Sequence, residues 1–133
     1  MRASQHFPPD LLEAIHTGKI LGIRAGRQPH RFIGIWVVVV ERRVFVRSWS
    51  LKPRSWYRTF LEEPVGAIQV GDREIPVRAV RTRSERLKEA VDRAYLEKYK
   101  TPGSIRYAQD LGRPPSRDTT TELVPLSPGG TTR

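Results

Sequence analysis

The stretch Arg47-Ser48-Trp49-Ser50-Leu51-Lys52-Pro53-Arg54-Ser55-Trp56-Tyr57-Arg58 concentrates groups that can do chemistry. Arginine forms planar, paired hydrogen bonds to phosphate or carboxylate, and lysine acts as a compact point charge. Hydroxyls and the free amides of a helix start complete the equipment for holding a phosphate. Arg47, Ser48, Ser50, Lys52 and Arg54 are therefore the candidate anion-binding residues. Trp49, Trp56 and Tyr57 add flat apolar surfaces suited to lie beside a ring system. A plainer account of the same residues makes Trp56 and Tyr57 core anchors of a short helix and leaves the cations in water.

Catalytic vocabulary is thin elsewhere. The three histidines, His6, His16 and His30, are too scattered for a zinc pair one helical turn apart, and the chain has no cysteine. Cysteine zinc sites, iron–sulfur clusters, disulfides and thiol nucleophiles are thereby excluded. Glu62-Glu63 suits a helix surface better than an acid/base couple. No phosphate-binding glycine loop, dinucleotide fingerprint or nucleophile elbow is present. No metal site is expected.

Charge points to an anionic partner. The 133 residues carry 24 Lys+Arg against 14 Asp+Glu, a net charge of +10. Arginine supplies 19 of the cations, and residues 19–58 hold ten basic side chains against one acid, Glu41. A phosphorylated small molecule and a nucleic acid both fit that imbalance. With 38% apolar residues the chain can build one core. No apolar segment follows Met1-Arg2-Ala3, and the longest apolar run, residues 32–40, is far short of the roughly 20 residues of a spanning helix. A cytoplasmic protein with no membrane segment is the expectation.

The elements that must position these groups are legible in outline. Pro8-Pro9-Asp10 followed by Leu11, Leu12 and Ile15 predicts a helix over 9–17 that stops at Gly18. Alternation over 19–27 predicts a strand. Residues 32–40, β-branched and apolar on both faces, predict one buried strand, and 44–49 a third strand reached through the turn Glu41-Arg42-Arg43. A short helix is expected over 53–64. Strands over 65–70 and 74–80 are expected around Gly71-Asp72, with Pro76 at an edge or bulge. Ser84 caps the clearest helix, which carries Leu87, Val91 and Tyr95 and ends at Thr101-Pro102-Gly103. A weaker helix over 104–111, a last strand over 119–126 and a loose tail over 127–133 complete the chain. One domain over 1–126 follows, of class α+β dominated by β, its strands closed into an antiparallel barrel.

Ile35-Trp36-Val37-Val38, Phe45 to Ser48, Arg54 to Arg58, Val91-Asp92-Arg93-Ala94-Tyr95 with Lys98-Tyr99, and Thr120 to Pro125 together resemble domain-of-unknown-function family 2255. That family is similar to the flavin-binding split barrels, which include pyridoxamine phosphate oxidase and the deazaflavin-dependent nitroreductases. The resemblance implies a six-stranded split barrel, a homodimer, and FMN or a deazaflavin at the subunit interface. Arg47, Ser48, Ser50, Lys52 and Arg54 would then hold the phosphate, and Trp36, Trp49 and Trp56 would border the ring. The paired glycines that precede the Pro-x-Trp-Tyr stretch of the deazaflavin proteins are missing, as is the oxidase's C-terminal substrate motif. Three functions remain open: a flavin-type oxidoreductase, a non-enzymatic binder of nucleic acid or other polyanions, and a cofactor-free scaffold.

Overall fold

The structure, a computed structural model, describes residues 6–126, so the expected tail over 127–133 lies outside the described residues. Helix α1 (Pro9–Thr17) begins on a proline whose missing N–H costs nothing in a first turn, and it buries Leu11, Leu12 and Ile15. Four strands follow: β1 (Leu21–Ala25), β2 (Ile33–Ile35), β3 (Val38–Val40) and β4 (Arg43–Val46). Helix α2 (Trp56–Glu62) is capped by Ser55, whose Oγ accepts from Arg58 N. The hairpin β5 (Val65–Val70) and β6 (Arg73–Arg81) turns on Gly71 at φ 62°, a left-handed value that glycine adopts without strain. Helix α3 (Glu85–Lys98) starts on the Ser84 cap, and α4 (Ile105–Leu111) and a 3₁₀ turn lead to β7 (Thr121–Pro125).

Seven strands form one antiparallel sheet in the order β2-β1-β5-β6-β7-β4-β3, where six were expected. The difference lies at Trp36-Val37, which splits the expected strand over 32–40 into β2 and β3. These halves occupy opposite edges of the sheet, yet only two residues separate them. Three peptide steps reach no more than about 11 Å, so the sheet must curl until its edges approach each other. At the break, ladder hydrogen bonds give way to side chains of α3 and of Tyr99, the residue that ends it. Val37 N donates to Tyr99 Oη (3.1 Å), Lys98 Nζ donates to Val37 O (2.8 Å), and Tyr95 Oη donates to Trp36 O (3.5 Å). Bending the chain there leaves these backbone groups satisfied.

Two apolar cores result. Leu21, Ile23, Ile68, Val77, Leu123, Val44 and Val46 face inward across the strands, with α1 and α2 closing the curl. On the other side of β3 and β4, Val38 and Phe45 pack against Leu87, Val91 and Tyr95 of α3 and Ala108 and Leu111 of α4. Trp56 is buried in the inner core, as are Tyr57 and Phe60. Gly66 marks a tight point of the sheet, because a Cβ there would collide with the Arg24 carbonyl.

Pro76 sits in an internal strand, contrary to the expected edge or bulge. Its carbonyl accepts from Leu126 N (3.1 Å), so its missing donor also faces β7, just past the final Val77–Pro125 pair where that ladder ends. The proline therefore interrupts no paired position of the β6–β7 ladder. The β3–β4 turn rests on Glu41 (φ 55°) and Arg42 (φ 63°), two non-glycine residues in the left-handed region.

Candidate functional site

Strand β4 stops at Val46, and the segment after it divides into two environments. Arg47 turns toward α3, with its side chain fully buried. Its Nε donates to Thr120 Oγ1 (2.8 Å), Nη1 to Asp92 Oδ1 (2.6 Å) and Leu111 O (2.9 Å), and Nη2 to Lys88 O (3.0 Å). Four of about five guanidinium N–H groups are thus committed inside the protein. Burial pulls the Arg47 pKa below the ordinary guanidinium value, and the hydrogen bond and charge of Asp92 oppose that shift. Asp92 also accepts from Arg117 Nε (3.0 Å), and Arg117 Nη1 reaches Glu85 (3.0 Å). This cluster ties β4, α3, α4 and the start of β7 together. It offers no open cradle for an anion.

The serine hydroxyls are also engaged. Ser48 Oγ donates to Ser50 O (2.7 Å), Ser50 N donates back to Ser48 Oγ (3.2 Å), and Lys52 N donates to Ser50 Oγ (3.2 Å). Ser48 N donates to the Thr119 hydroxyl (2.8 Å). These bonds shape the loop. Of the expected anion-binding residues, Lys52 and Arg54 have exposed side chains.

The three tryptophans separate in the same way. Trp56 packs among Tyr57 and Phe60 at centroid distances of 6.3 and 6.0 Å inside the inner core, where no ligand ring can reach it without unpacking α2. Trp36 and Trp49, thirteen positions apart in the chain, meet with ring centroids 5.5 Å apart at 64°. Trp36 stacks one face on Tyr99 (3.9 Å, 3°). Trp49 meets Tyr107 of α4 at 6.1 Å and 83°. Trp36, Trp49, Tyr107 and Asp110 together line an open cleft of ≈ 480 Å³. Trp49 and Tyr107 are each 51% exposed, which is unusual for rings of this size and leaves apolar area available to a partner.

The ground beneath the cleft is firm. Tyr99 Oη donates to Lys19 O (2.7 Å) and accepts from Val37 N (3.1 Å), and burial raises its pKa to about 12. Lys98 donates to Ile15 O (3.1 Å) and Val37 O (2.8 Å), and burial together with the Lys19 charge lowers its pKa to about 8. The Trp36–Val37 bend is thereby fixed from α3, and Trp36 with it.

Tyr107 and Asp110 were not among the expected site residues. Helix α4 buries Ala108 and Leu111, and Tyr107 and Asp110 sit off that stripe, three residues apart. A large ring and a carboxylate sharing the polar side of a short helix were the available signal. Among the described residues, no group of three or more His, Asp or Glu side chains is placed to hold a metal ion, and no helix is long and apolar enough to cross a membrane.

The fold resembles that of conserved hypothetical protein Rv2991 from Mycobacterium tuberculosis, known from a crystal structure, with a TM-score of 0.56 and 12% identity over 96% of this chain and 84% of that one. No curated protein matches the chain. The profile of the family described as "Uncharacterized protein conserved in bacteria (DUF2255)" matches residues 12–123, spanning both cores and the cleft, and the chain belongs to that family, domain-of-unknown-function family 2255.

Proposed function

We propose that this protein binds a phosphorylated small molecule carrying a flat ring in the Trp36–Trp49–Tyr107 cleft, FMN or a deazaflavin being the form that the family resemblance implies. The observation that carries the reading is the convergence of Trp36 from the bend, Trp49 from the loop and Tyr107 from α4 on one open cleft. Rings this close at steep angles form a corner, so a plate laid on one face meets another ring edge-on. Lys52 and Arg54, exposed and three and five residues beyond Trp49, supply charge for a phosphate. The reading takes the curled sheet for a split barrel, the protein for a cytoplasmic one, and a second copy as the cover for the open cleft. A bound flavin would supply redox chemistry, while this chain's residues hold the ring and its phosphate.

The test is an absorption spectrum of the native purified protein, followed by melting with FMN, FAD, a deazaflavin and purine mononucleotides. At least one such ligand should raise the Tm of the wild type. Trp49→Ala, which removes the edge contacts to Trp36 and Tyr107 and should cost about 0.5–1.5 kcal/mol of stability, should abolish that rise. Colourless protein whose melting none of these compounds shifts would refute the reading.

A second reading rests on the same exposed rings. The exposed rings of Trp49 and Tyr107, in a chain of net charge +10, also suit bases of a single-stranded nucleic acid stacked over a basic surface. Binding of that kind weakens steeply with salt. Oligonucleotide affinity that is absent at low salt removes it.

A further inference from the structure

We propose that the cleft selects a ring with a 2-amino-4-oxo pyrimidine edge, the edge shared by guanine nucleotides and pterins, through Asp110. This rests on the ring-binding reading above and narrows its ligand.

Three of the four cleft-lining side chains are aromatic, and Asp110 is the carboxylate among them. An ionised carboxylate only accepts hydrogen bonds, and its two oxygens lie side by side. It is satisfied best by two parallel N–H donors, as in the forked pairing of carboxylate with guanidinium. Planar ring edges differ sharply in what they offer such a group. The imide edge of a flavin or deazaflavin places one N–H between two carbonyls, so one carboxylate oxygen faces another acceptor. Adenine sets its amino group beside a bare ring nitrogen, with the same conflict. Guanine and pterins place a ring N–H directly beside an exocyclic amino group, and both donors match the carboxylate.

The neighbour of Asp110 extends the match. Arg113 Nη1 donates to Asp110 Oδ1 (3.4 Å), and the other N–H donors of the guanidinium stand beside the carboxylate. The ring edge in question continues past its N–H to a carbonyl, the acceptor such a donor needs. Asp110 and Arg113 together form the complement of that edge, while the aromatic corner takes the ring's face. The net charge of +10 attracts any phosphate without distinguishing bases, so discrimination falls to this pair.

The experiment is quenching of tryptophan fluorescence in the full chain, titrated at moderate salt with GMP, IMP, AMP, FMN and a pterin. GMP and IMP differ only in the 2-amino group, and GMP should bind about 10–100-fold more tightly than IMP or AMP. Asp110→Asn replaces one acceptor by a donor. It should weaken GMP by a similar factor and turn the preference toward xanthosine monophosphate, whose ring bears a carbonyl where guanine bears the amine. A pterin that binds more tightly than GMP supports the same edge and assigns the ligand to pterins. Equal affinity for GMP, IMP, AMP and FMN, unchanged by Asp110→Asn, would overturn the edge selection and leave the ring-binding reading intact. Absence of quenching by every compound would overturn both.

Discussion

Arg47 and Trp49 are two residues apart, and the fold puts them to opposite uses. Arg47 is buried with four donors satisfied, whereas Trp49 stands half-exposed over an open cleft. Both belong to a segment whose composition suits ligand binding. The difference shows that residue type proposes a role and hydrogen-bond saturation disposes of it. A guanidinium buried with four of its five donors committed cannot greet a phosphate, and a ring with an open face can still take a partner.

Removing Arg47 tests that contrast most severely. Arg47→Ala takes the donor from Asp92 Oδ1, Thr120 Oγ1 and Leu111 O, leaving Asp92 only Arg117, and should destabilise the protein by about 3–5 kcal/mol in urea unfolding. A loss as small as that expected for Trp49→Ala would mean that the cluster is not the tie between β4 and α3. Tyr99→Phe comes next. It deprives Val37 N of its acceptor and Lys19 O of its donor, and should cost about 1–3 kcal/mol while disturbing Trp36 emission through the stacked ring.

A pH dependence should give the smallest effect. Lys98 lies near His16, Lys19, Glu97, Tyr99 and Lys100, and its folded pKa is about 8 against the ordinary lysine value of 10.5. Between those values the unfolded chain binds the additional proton, so the Lys98 contribution makes stability rise with pH. Below about pH 8 both states are protonated and that contribution is flat. Neutral Lys98 keeps two N–H groups, enough for Ile15 O and Val37 O. The rise from pH 8 to 10 should therefore be shallower in Lys98→Met, as read by urea midpoints at each pH; identical profiles would count against it.

Much of the fold was visible in local pattern. The α1 bounds, the strand over 65–70 and the Ser84 cap follow from proline, alternation and capping chemistry that act over a few residues. The break at Trp36-Val37 was not visible, because residues 32–40 are uniformly strand-forming and the groups that satisfy the bend come from Tyr95, Lys98 and Tyr99, about sixty residues away. The position of Pro76 was misjudged for a related reason. The strand is internal, but its partner ends beside the proline.

By itself the sequence determined the charge, the element types, the absence of thiol chemistry and the segment richest in binding groups. Those properties depend on side-chain identity and on neighbours within one or two turns. Tertiary structure alone decided that Arg47 and the serines are consumed within the fold, that Trp56 belongs to the core, and that Trp36 and Trp49 meet Tyr107 and Asp110. Such outcomes depend on which donors find acceptors and which faces find cover once distant elements pack, and no local spacing encodes that.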